Sequence, residues 1–149
     1  MKYYTLNITR TVLQKDQEPL PATPPGIVTY VKTYCYTPQN AWREQAYLVF
    51  LSKDGQILGH FLLGMGGFSA VTIDKRLACI AMLGANAPRA VLVHNHPDGD
   101  SLPSAADLSQ TKDLKVAFSA IGCELCDHII LGKENYFSFN NETQQKYSK

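Results

Sequence analysis

Apolar positions along this chain change their spacing several times, and each change marks an element. Lys2 to Leu13 reads as a first strand, and Gln14 to Pro25 is a polar, proline-rich stretch expected to form a surface loop. Apolar residues at 27, 31, 34 and 35 fit a helix over Ile27 to Tyr36, although the β-branched content leaves a strand open. Tyr47 to Leu63 reads as a hairpin that turns at Asp54-Gly55. Gly66-Gly67 then breaks the chain before a short strand, Ser69 to Ile73. Asp74 is a good cap for a helix from Lys75 to Ala85, apolar on most sides and therefore expected to be buried. Ala90-Val91-Leu92-Val93 is an apolar, β-branched run of the kind buried on both faces of a sheet. Leu108, Leu114, Phe118 and Ile121 share one face of a helix that starts near Ser104 and is closed by Gly122. Strands at Cys123 to Leu131 and Tyr136 to Phe139 follow, then a polar tail from Asn140.

Composition agrees with one compact domain. The 149 residues lie near the commonest domain size, and 45% apolar content is enough for a core. Met1 to Arg10 lacks the continuous apolar stretch of a signal peptide, and Leu77 to Ala85 is too short to span a bilayer, so a soluble, cytoplasmic protein with no membrane partner is expected. The net charge is +1 with scattered Lys and Arg, which gives nucleic acid no basic stripe to bind. Four cysteines in such a chain read as reduced thiols. Cys123 and Cys126 form a Cys-x-x-Cys, but positions i and i+3 of a strand face opposite ways.

The candidate chemistry sits where the buried strand ends. His94 and His96 share a face of that strand at its C-terminal end, and Pro97, Gly99 and Pro103 turn the chain away. Asp107 falls in the first turn of the following helix, where the helix dipole favours a carboxylate. Ser104 and Asp107 alone match an ordinary capping box. Two imidazoles placed side by side are different, because burying them gives the fold nothing unless something bridges them. Two imidazoles and one carboxylate suit zinc and leave a fourth position open. A metallo-β-lactamase pattern fails because Gly99 stands where its last histidine belongs, and a (β/α)8 barrel needs about 250 residues.

From about Arg43 to Phe139 the chain resembles the JAB/JAMM (MPN+) metalloprotease superfamily, in particular its RadC-like branch. His94, His96, Ser104 and Asp107 fit that superfamily's spacing without gaps, and Arg43-Glu44, Gly66-Gly67-Phe68-Ser69, His94-Asn95-His96-Pro97 and Asp127-His128-Ile129-Ile130 resemble the branch. The resemblance implies an α/β fold: a three-layer single domain with a mixed β-sheet flanked by helices. It divides the chain into residues 1–40 packing on the core, a metal-binding domain over 41–140 and a polar tail over 141–149. It also implies zinc held by His94, His96 and Asp107, and hydrolysis of an amide or isopeptide bond in a protein or peptide, including a modified or conjugated protein. Glu44, alone among the five glutamates, directly precedes an apolar strand where the family places its general base. Ser104 would donate a hydrogen bond to the oxyanion, and Asp127 and His128 would orient a ligand from behind. Two departures stand out. The segment before Arg43 is too short for the helix-hairpin-helix region of full-length RadC-like members, and Asp98 replaces a more usual serine.

Two other functions compete with hydrolysis: a DNA-repair-associated factor, as the branch name implies, and a non-catalytic interaction module. The filled ligand positions weigh against the second. His60 is expected to be partly exposed with no visible partner, Gly66 and Gly67 to permit an unusual backbone path, and the oligomeric state is left open.

Overall fold

A computed structural model describes residues 20–37, 41–66 and 72–147. The expected strand at Lys2 to Leu13, the start of the proline-rich stretch and most of Ser69 to Ile73 lie outside them. Within them the chain forms α1 (Pro24–Tyr34), β1 (Gln45–Leu51), β2 (Ile57–Met65), α2 (Lys75–Ala85), β3 (Arg89–Asn95), α3 (Ala105–Ala120), β4 (Glu124–Leu131), β5 (Asn135–Ser138) and β6 (Thr143–Lys146).

The six strands make one sheet in the order β2-β1-β3-β4-β5-β6. Only β3 and β4 pair in parallel, so the sheet is mixed, and α3 is the crossover between them. Side-chain alternation divides the core in two. Ala46, Leu48, Phe50, Ala90 and Leu92 pack with Met82, Leu114 and Phe118 of α2 and α3 on one face. Tyr47, Val49, Val91, Val93, Ile129 and Leu131 pack with Ile27, Val28 and Val31 of α1 on the other. The expected three-layer α/β domain is therefore present. Among the described residues no helix is long and apolar enough to cross a membrane.

Local chemistry explains the helix starts. Thr23 caps α1, whose first turn tolerates two prolines because its N–H groups have no helical partners; the helix thus begins three residues earlier than its apolar spacing predicts. Asp74 accepts from the N–H groups of Arg76 and Leu77 and caps α2, an arrangement worth about 1 kcal/mol. The hairpin turns through Gly55, at φ 78°.

Three expectations need correction. Helix α2 is not buried all round: Ala78 and Met82 face the core, but Ile80 and Leu83 are exposed, because the sheet covers one side only. Thr72 and Ile73 are not in a strand, although Ile73 is buried in the core. The polar stretch after Asn140 is not a loose tail, since Thr143–Lys146 pairs with β5 through backbone bonds that need no apolar alternation.

One irregularity in β4 matters for the site. Ala90 pairs with Leu125, but Val91 pairs with Asp127, so Cys126 is an extra residue, a β-bulge. The bulge reverses the parity of the strand. Leu125 faces the α2–α3 side, Ile129 and Leu131 face α1, and His128 is returned to the α2–α3 side.

Candidate metal centre

The sheet register brings three side chains to one face. Because Ala46 pairs with His94 in antiparallel β1 and β3, Glu44, one step before β1, comes opposite His96, one step beyond β3. Even-numbered positions on both segments share a face. Helix α3 then delivers Asp107 from above, held by a capping box: Ser104 Oγ accepts from Asp107 N–H at 3.2 Å, and Asp107 Oδ2 accepts from Ser104 N–H at 2.8 Å and Ser104 Oγ–H at 2.6 Å.

The ligand atoms converge on a small space. His94 Nε2 lies 2.9 Å from His96 Nε2, 3.2 Å from Asp107 Oδ1 and 3.8 Å from Glu44 Oε1, and His96 Nε2 lies 3.5 Å from Asp107 Oδ2. Zinc bonds of about 2.0 to 2.1 Å at tetrahedral angles would set ligand atoms about 3.3 Å apart. The spacing fits.

Counting protons tests the fit independently. Thr111 Oγ1 donates to Asp107 O at 2.6 Å, so the same oxygen must accept from His128 Nδ1–H at 2.6 Å. His128 Nε2 is then bare and accepts from His94 Nδ1–H at 2.8 Å, which leaves the Nε2 of His94 with a lone pair. His96 Nδ1 lies 2.7 Å from Asp100 O, and a carbonyl only accepts, so Nδ1 carries the proton and Nε2 again has the lone pair. Two lone pairs would face each other at 2.9 Å. Something positive must stand between them, either a proton or a metal cation.

Electrostatics agrees with that count. Burial pushes His94 down to about 4 and His128 well below the usual histidine range, so both rings are neutral. The hydrogen bond it can donate to the Asp107 carboxylate raises His96, the ring best placed to hold a proton when no metal is bound. Burial alone would raise Asp107, but His96, His94 and Ser104 together outweigh it and hold the carboxyl well below its ordinary value.

Of the two residues expected to support the ligands from behind, only His128 touches one. Asp127 lies on the opposite sheet face, where it accepts from the N–H groups of His128 and Asn140 and from Ser138 Oγ–H. Adjacent strand residues point to opposite faces, so the two could not both face the metal. The expected partnerless His60 is half-buried, with Nδ1 3.0 Å from Tyr30 Oη. Gly66 donates its N–H to Glu44 O, and Gly67 is outside the described residues. All four cysteines are unbridged.

Sequence reasoning missed Asn95, Asp100 and Thr111. Asn95 alternates away from its flanking histidines and uses its whole carboxamide: Oδ1 accepts from Gln45 N–H, and Nδ2 donates to Arg43 O and Ala41 O. The only available hint was an amide in an otherwise apolar, buried strand.

Comparison with known proteins follows the same outline. A family model described as a RadC-like JAB domain matches residues 23–145. A UPF0758 protein of Chlorobaculum tepidum is 39% identical over 99 residues, which cover 66% of this chain and 45% of the relative. UPF0758 proteins of Thermotoga maritima and Coprothermobacter proteolyticus are 31% and 30% identical over 144 and 140 residues, covering 95% and 92% of this chain but 65% and 60% of the relatives. The chain thus spans about half to two thirds of the length of these curated relatives. With the family model covering α1 through most of β6, and relatives aligned over nearly all of its length, the chain belongs to the RadC-like JAB domain family.

Proposed function

We propose that the chain is a zinc-dependent hydrolase of amide or isopeptide bonds, acting on a protein or peptide. One observation carries the reading: two imidazole lone pairs, each fixed by a hydrogen bond on the far side of its ring, face each other and a carboxylate at the C-terminal end of β3. His94, His96 and Asp107 would hold the ion. Zinc bound there would supply Lewis acidity, lowering the pKa of a water and polarising the carbonyl under attack.

The remaining steps belong to the protein. Glu44 is buried with its carboxylate 3.8 Å from His94 Nε2, near enough to take a proton from a water in the pocket and return it to the leaving amine. Ser104 stands at the exposed mouth of the site, where its hydroxyl, now on Asp107, would turn to donate to the developing oxyanion; losing such a donor raises a barrier by about 3 to 4 kcal/mol. No side-chain nucleophile is required, and no covalent intermediate forms on the protein. Four unbridged thiols favour a reducing, cytoplasmic setting.

A proteome-wide survey of new amine termini and released lysines, comparing cells carrying the wild type with cells carrying Glu44→Gln, tests the reading. Products should appear only with the wild type. Identical profiles, with zinc bound equally by both, would show that Glu44 does not act as the base.

A further inference from the structure

His96 is the one candidate ligand outside regular structure, one residue past the end of β3. Its ring orientation depends on Asp100 O, so whatever holds the loop after His96 also sets the ligand. The loop is fastened to the turn between β4 and β5. His96 N–H donates to Leu131 O at 2.9 Å, Gly99 N–H to His96 O at 3.0 Å and Lys133 N–H to Gly99 O at 3.0 Å. Ser101 is fully buried and donates its hydroxyl to Asn135 Oδ1 at 2.6 Å. From β6, Gln144 Nε2 reaches Ser101 Oγ at 3.2 Å and Asp100 Oδ1 at 3.3 Å.

The fit leaves no room for a side chain. A Cβ on Gly132 would stand 2.6 Å from Gly99 O, 2.9 Å from Asn135 Oδ1 and 3.0 Å from Ser101 N. Backbone meets backbone at this point. A buried hydroxyl with a short bond to a turn 34 residues away is more than an exposed loop needs for its own turn geometry.

We infer that Ser101 and Asn135, seated against Gly132, are positioning residues for the metal centre: they lock Asp100 so that its carbonyl keeps the proton on His96 Nδ1 and points His96 Nε2 at the cation. The inference rests on the metal-centre reading proposed above. It assigns the β5–β6 hairpin, distant in sequence from both histidines, a part in metal affinity.

The test uses the full chain, with zinc affinity measured by chelator competition and coordination followed by the visible absorption of bound Co2+. Ser101→Ala, Asn135→Ala and Gly132→Ala should each weaken zinc binding by about tenfold or more. Each should also change the intensity or position of the Co2+ bands, which a general loss of stability would not do while the variant stays folded. Lys133→Ala, which keeps the backbone N–H of the same turn, should behave as wild type. Folded variants that bind zinc within about twofold of a wild type that itself binds one ion would overturn the positioning role. A wild type that binds no zinc would instead overturn the metal-centre reading. If Gly132→Ala does not fold, the two side-chain variants decide by the same criteria.

Discussion

Asn95 grips the backbone on both sides of Glu44, accepting from Gln45 N–H and donating to Arg43 O. The residue between the two histidines thus ties the candidate base to the strand that carries the candidate ligands. Asn95→Ala should destabilise the protein by about 1 to 3 kcal/mol in chemical denaturation, because buried groups lose their partner. Asn95→Asp should do no better, since it sets a carboxylate oxygen against two carbonyls. Zinc stoichiometry should survive both, as Asn95 faces away from the ligands.

His128 should matter to metal binding without touching the metal. His128→Phe keeps a ring but removes the acceptor for His94 Nδ1–H, and zinc affinity should fall about 10- to 100-fold. Thr111→Val should act one step further out, leaving His128 Nδ1–H buried and unpaired at a cost of about 1 to 3 kcal/mol. Chelator competition measures the first effect and denaturation of the metal-free protein the second.

Acid should weaken the metal-free protein. His94 and His128 are depressed by burial, so the stability they contribute is complete above the unfolded value of about 6.5 and is lost as pH falls, for His94 down to about 4. His96 is raised and acts in the opposite sense, but it is one group against two. Asp107 is depressed and holds its contribution until far lower pH. Thermal midpoints should therefore fall between about pH 7 and about pH 5. Zinc affinity should fall over the same range, since the cation must displace the proton from His96.

Alkali should weaken it for a different reason. Burial pushes Cys35, Tyr30 and Tyr147 up to about 12, so their neutral forms are favoured in the fold. Unfolded thiols ionise near about 8.5 and phenols near about 10, and stability should be lost as pH rises from there toward 12. In Cys35→Ala the loss in the thiol range should shrink but not vanish, because burial also raises the Cys123 and Cys126 thiols, as read by unfolding curves at successive pH values.

Local signals carried much of this structure. The apolar run ending in His94 and His96, the Ser104–Asp107 cap and the Asp54-Gly55 turn were legible because spacing along one element decides them. Thr111, Asn95, Ser101 and Gln144 were not, because each acts through a partner 17 to 54 residues away. Two misreadings have local causes. Adjacent strand residues cannot share a face, which separates Asp127 from His128, and an apolar composition does not bury a helix such as α2 that only one layer covers. Thr143–Lys146 was hidden because an exposed edge strand has no pattern to show.

The bulge at Cys126 ties chemistry to spelling. Were the same residues paired to β3 without the bulge, with Cys126 opposite Val91, Asp127 would turn toward His94 and His128 away from it. An acid would then stand where a neutral ring now accepts the hydrogen bond from His94 Nδ1–H, and His94 would bind its ion as part of a more negative pair. One extra residue, in a strand that no glycine or proline marks, thus decides which side chain stands behind His94.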